Sequence, residues 1–171
     1  MAIIDIKNVS SMKKLLWFAW FVVAPREFLI VAIINVPIFL FFYYKAESVT
    51  IAGSAPLLNY LGPMFFVLPL ITTYFGFRNG ILARRWGIGP ALPEGKIPRK
   101  MWAIIAGTIW GCLCCPLCII LGLKLQAAFP DLQFPMWAGA IIVGIVSGTA
   151  GYILHALAIC FSSLILIKHS S

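Results

Sequence analysis

Apolar residues run along this chain in four long stretches, separated by short polar or proline-rich segments. Runs of roughly 20 apolar residues match the thickness of a bilayer's hydrocarbon core, so each stretch predicts a membrane-spanning helix. The first run, Leu15 to Tyr44 behind Lys13 and Lys14, is interrupted by Ala24, Pro25, Arg26 and Glu27. A single spanning helix would bury Arg26 and Glu27 at considerable cost. Pro25 suits the first position of a new helix, and Glu27 suits its positively polarised end. The pattern therefore predicts a break. Residues 11–23, with Trp17, Phe18, Trp20 and Phe21, lie along the interface as an aromatic anchor, and about 27–44 span. One long tilted helix over the same residues is the alternative.

The second span covers about 56–77, with a kink expected at Pro63 and Pro69. Residues 78–100, RNGILARRWGIGPALPEGKIPRK, combine Arg78, Arg84, Arg85, Lys96, Arg99 and Lys100 with several Gly and Pro. They read as the main exposed loop, suited to anionic lipid headgroups or a cytoplasmic partner. The third span is 101–129, PDLQFP is a tight turn, and the fourth span is 136–167. The expected fold class is all-α: a polytopic membrane protein with four transmembrane helices in two hairpins and an N-terminal interfacial helix, one membrane domain over 1–171. The two hairpins resemble each other faintly, since each follows cations and turns through a short loop, but their residues do not align and no repeat is inferred.

Composition sharpens this picture. With 62% hydrophobic residues, only 11% charged and a mean hydropathy of +1.01, the chain cannot be a soluble monomer. Its net charge of +8 would raise the question of nucleic acid in a soluble protein. Here the cations sit at loops and ends, so membrane anchoring explains them and no nucleic-acid partner is expected. Lys7, Lys13, Lys14, the six cations of 78–100 and Lys168 fall on one side, against Lys45 and Lys124 on the other, with Lys124 free to snorkel to its boundary. The positive-inside rule then places both termini and the basic loop in the cytoplasm, in a multi-pass protein of the cell's inner membrane. The N-terminus lacks a small-residue cleavage site, so no cleaved signal is expected.

Small residues recur at helical spacing in the later spans: Ala103, Gly107, Gly111, Cys115, Cys118 and Gly122 in the third, and Ala140, Gly144, Ser147, Gly148, Gly151 and His155 in the fourth. Close backbone approach is what drives helix association in lipid, so these stripes predict packing faces. The second span adds Thr72, Gly76 and Gly80, while the first is bulky with Phe39, Phe41, Phe42, Tyr43 and Tyr44. Spans two to four are expected to form the tight core, with the first outermost.

His155 shares the glycine face of the fourth span and so points at another helix. It is either a neutral histidine hydrogen-bonded between helices or a site for proton or substrate handling, with Tyr152, Thr149, Thr72, Thr73 and Asn79 as possible partners. Arg26 and Glu27 read as boundary and capping residues rather than a buried pair. Asn35 with Pro37 marks a possible kink.

The five cysteines lie in apolar segments, so no disulfide framework is expected. Zinc would need four converging ligands, and none join Cys115 and Cys118 at that depth. Cys115-Pro-Leu-Cys118 resembles the C-x-x-C of four-helix, quinone-linked thiol oxidoreductases, which also require a cysteine pair on the outer face. The outer loops here contain none, so these cysteines read as small packing residues. No phosphate loop, paired carboxylates, HExxH or nucleophile elbow is present, and neither an enzyme nor a cofactor is expected. Two functions stay open: a non-catalytic subunit of a larger membrane assembly, or a small oligomeric transporter or channel lined by the His155 face. The partners are the bilayer together with other membrane proteins or further copies of the chain.

Overall fold

Inside a bilayer no water can satisfy backbone N–H and C=O groups, which restricts long apolar segments to helices. The computed structural model describes residues 6–52, 56–90 and 99–167. Along these run α1 (Ile6–Trp17), a π-helical stretch (Phe18–Val23), α2 (Ala24–Phe42), β1 (Ser48–Thr50), α3 (Leu57–Arg85), α4 (Arg99–Ala128), β2 (Gln133–Pro135) and α5 (Met136–Ile167). The fold is all-α apart from the two short strands. Four helical segments are long and apolar enough to cross a membrane: 10–42, 57–85, 100–128 and 136–163.

The first of these corrects the expected break. Trp17, Val23 and Ala24 all keep right-handed helical dihedrals, and the Ala24 N–H donates to the carbonyl of Ala19, five residues back. That wider turn is what admits Pro25. A proline inside a regular helix clashes with the carbonyl four residues earlier, and a π-turn opens the spiral at that point. Residues 11–23 therefore continue into the same long helix rather than turning away from it. Leu15 and Ala19 are fully buried against Ala83 of α3 and Ala156 and Ile159 of α5, while Trp17 and Phe21 face outward.

The second correction concerns residues 78–85. They extend α3 instead of opening a loop, because nothing before Gly87 and Gly89, with φ of +76° and +119°, forces the helix to end. Gly80 sits within the helix because Ser162 of α5 occupies the space its side chain would need.

The packing order is also different from the expected one. α5 lies between α2 and α3, and α4 packs chiefly along α3, so α2 and α4 are both outermost. The glycine stripe of α5 faces the bulky first span: Gly144 meets Val36, Gly148 meets Phe28, and Gly151 meets Val31. Gly107 and Gly111 of α4 meet Leu70 and Phe66 of α3, and Gly122 meets Leu58. Bulk on one helix fills the hollow left by glycine on the other, which is why α2 joins the core that its size seemed to exclude it from. The legs of each hairpin are thus separated: α2 pairs chiefly with α5, and α3 with α4 and α5.

This pairing is unchanged when the two halves of the chain are exchanged, and the connecting strands follow the same rule. β1 and β2 pair antiparallel, with Ser48 opposite Pro135, Val49 opposite Phe134 and Thr50 opposite Gln133. Val49 is fully buried beneath them against Gly139, and Gln126 accepts the Ala52 N–H at 3.0 Å. The strands fasten the two halves of the chain to each other at one end of the bundle.

The glycine contacts yield a test. Adding a methyl at Gly148 places it 2.9 Å from the Phe28 ring and 3.0 Å from the Phe28 carbonyl oxygen, whereas at Gly62 it meets only Ile119 at 3.7 Å. Gly148→Ala should destabilise by about 1–3 kcal/mol. Gly62→Ala should be neutral or stabilising by up to about 1 kcal/mol. Thermal unfolding in detergent measures both.

Candidate functional site

Three helices bring polar side chains together at the end of the bundle opposite the strands. His155 on α5 is completely buried, with its Nε2 3.0 Å from Asn79 Nδ2 on α3. With the Asn79 amide nitrogen turned to the ring, Nε2 takes the acceptor role, the arrangement of the tautomer protonated at Nδ1. Nδ1 faces Glu27 Oε2 on α2 at 3.7 Å, too far for a hydrogen bond, and has no other partner among the described residues. The Glu27 side chain keeps 17% of its surface exposed. The site thus consists of a buried imidazole held on one side by an amide and facing, on the other, a carboxylate that looks outward.

Helix spacing explains the convergence. His155 follows Gly144, Gly148 and Gly151 on one stripe of α5, so the contact that draws α2 in close also brings Glu27 over the ring. Asn79 lies one turn from Gly76 and beside Gly80, and both glycines let α3 approach α5 at Ala158 and Ser162.

Glu27 also forms one end of a cavity of about 840 Å³ between α2 and α3. Its walls are mainly apolar, including Ile34, Ile38, Val67, Ile71 and Phe75, with Asn35, Tyr60 and Thr72 as polar points. The Tyr60 hydroxyl reaches across from α3 to α2, 3.0 Å from Asn35 Oδ1 and 3.1 Å from the Asn35 carbonyl oxygen. Asn35 in turn donates to the Val31 carbonyl at 2.8 Å. A smaller cavity of about 370 Å³ lies between α4 and α5 over α3, lined by apolar side chains and Cys114 and Cys118.

The remaining candidates fall elsewhere. Tyr152 donates to the Trp20 carbonyl at 2.8 Å and packs on the Trp20 ring, joining α5 to the π-helical stretch. Thr72 donates to the Leu68 carbonyl of its own helix at 2.8 Å. Thr73 is buried with its hydroxyl unpartnered among the described residues, and Thr149 is exposed on the far side of α5. Of the residues proposed to partner His155, only Asn79 bonds to it. Glu27 completes the site, and the role first given to it as a helix-start residue is superseded because the helix does not start there. A carboxylate four to five turns before the end of an apolar helix was the available signal.

Among the basic residues, Arg78, Arg85 and Lys100 are exposed, but Arg84 is buried and donates through Nε to the Pro90 carbonyl at 2.7 Å. It does not face outward with the other arginines, because its guanidinium is turned to the Pro90 carbonyl in the turn that follows α3 and to the Ser162 carbonyl of α5. Lys96 and the side chain of Arg99 lie outside the described residues. Cys115 is half-buried on α4, and Cys112 faces outward.

Comparison of the chain with family models, with curated proteins and with solved structures finds no match.

Replacing Asn79 by Ala would leave a buried ring nitrogen without its donor. The expected loss is about 1–3 kcal/mol of stability. Asn79→Gln should recover part of it if its amide reaches Nε2, which thermal unfolding of the two variants would show.

Proposed function

We propose that this chain is a non-catalytic integral membrane subunit that docks onto a larger membrane assembly through α4. The observation that carries this reading is the isolation of α4: one narrow glycine-bearing face packs on α3, and Ile104, Ile109, Leu113, Leu117 and Leu121 around the rest of its circumference are exposed. Cys112 and the half-buried Cys114 and Cys115 sit among these larger side chains, giving the outer surface the shallow relief that a partner helix can fill. On this reading the protein lies in the inner membrane with its termini and the exposed Arg78, Arg85 and Lys100 toward the cytoplasm.

A second reading, an oligomeric transporter or channel, draws on the buried His155 and the half-buried Glu27 and Asn79 beside it. The glycine face once considered for its pathway is filled by Phe28, Val31 and Val36. A pathway would then have to follow the α2–α3 cavity or a seam between copies.

The native particle, extracted in mild polymer and analysed by mass spectrometry, should contain larger membrane proteins in fixed ratio to this chain. Ile109→Trp with Leu113→Trp should release them while leaving the chain folded. Recovery only as a monomer or a closed homo-oligomer would overturn the subunit reading. His155→Gln should lower stability by about 1 kcal/mol without altering the assembly. A selective loss of solute or ion flux in liposomes would instead favour transport.

A further inference from the structure

We propose that the α2–α3 cavity is a binding site for a phospholipid bearing a primary amine in its headgroup, with Glu27 receiving the ammonium and the acyl chain lying along the apolar walls. This inference is independent of docking through α4. The lining is apolar over most of its length, and Glu27 is the carboxylate at its end. That carboxylate has no hydrogen-bond partner among the described residues, and behind it the Nδ1–H of a fully buried histidine is likewise unpartnered. A carboxylate facing the interior of a bilayer calls for a cationic or donor group. Arg26, next in the chain and exposed, supplies a positive charge beside it. Adjacent negative and positive side chains match the ammonium and phosphate of a zwitterionic head, and the ammonium must carry hydrogens to bond the carboxylate.

The Tyr60 to Asn35 contact bridges the two walls part-way along the cavity, so its occupant must be slender enough to lie beside that contact, as an acyl chain is.

The experiment uses the full chain reconstituted in vesicles of equimolar phosphatidylethanolamine, phosphatidylcholine and phosphatidylglycerol, followed by native mass spectrometry of the lipid that stays bound. Phosphatidylethanolamine should be enriched about five- to tenfold over both others, the ratio expected of one partly desolvated charge pair. Glu27→Gln should abolish the headgroup preference while chains remain bound, and Ile71→Trp should reduce all retained lipid by filling the cavity. Equal retention of the three lipids by the native chain overturns the proposal, whatever the stability of the variants. So does a preference that survives in folded Glu27→Gln. A photo-cross-linking residue at Ile34 should capture lipid, and capture of a protein helix or a second copy would overturn it as well.

Discussion

Helix pairs in this protein are decided by where backbone can meet backbone. Four of its helices are long and apolar enough to cross a membrane, and in lipid, where another helix offers apolar side chains nothing new, attraction between helices must come from close van der Waals contact. Glycines at 144, 148 and 151 let α2 settle on α5, and Gly76 and Gly80 let α3 settle on its other flank. α5 becomes the element on which both halves of the chain depend, while α4 is held chiefly through α3. The strands at the opposite end add a few hydrogen bonds, but they fasten an arrangement that the glycines already determine.

The polar site follows from the same contacts. Glu27, Asn79 and His155 belong to three different helices and meet because α5 is approached closely from both sides. The pairing leaves two cavities, one between α2 and α3 and one between α4 and α5, and they differ in chemistry. The α4–α5 cavity is apolar and smaller, whereas the α2–α3 cavity has a carboxylate at its end and amide and phenol groups along its wall. The two halves share a pattern of contacts without sharing side chains, so one hairpin can carry a polar site while the other presents a plain apolar face.

The four long apolar helices were legible in the sequence because the length and apolarity of their runs exceed anything a small soluble core requires. The pairing of His155 with Asn79 was also within reach, since both lie on glycine-bearing stripes. Three features were not. The π-helical stretch has no residue signature, so Pro25 read as a start when the widened turn before it lets the helix pass through. Arg78, Arg84 and Arg85 read as loop because charge is a proxy for solvent, yet α3 continues past its apolar run and buries Arg84 on neighbouring carbonyls. The partner of each glycine stripe was hidden as well. A stripe shows that some helix approaches, and bulky α2 was set aside although bulk is what fills a glycine hollow.

The contact of α5 with α2 is the most direct place to test this account. A Cβ at Gly151 would lie 3.2 Å from the Cβ of Val31, close to the separation that a disulfide spans after slight adjustment. With Cys112, Cys114, Cys115, Cys118 and Cys160 replaced by serine or alanine, the double variant Val31→Cys with Gly151→Cys should oxidise to an intramolecular cross-link in membranes, seen as a mobility shift reversed by reductant. Absence of that link, together with efficient cross-linking of a cysteine at 151 to one on α4, would contradict the arrangement and return α2 to the periphery.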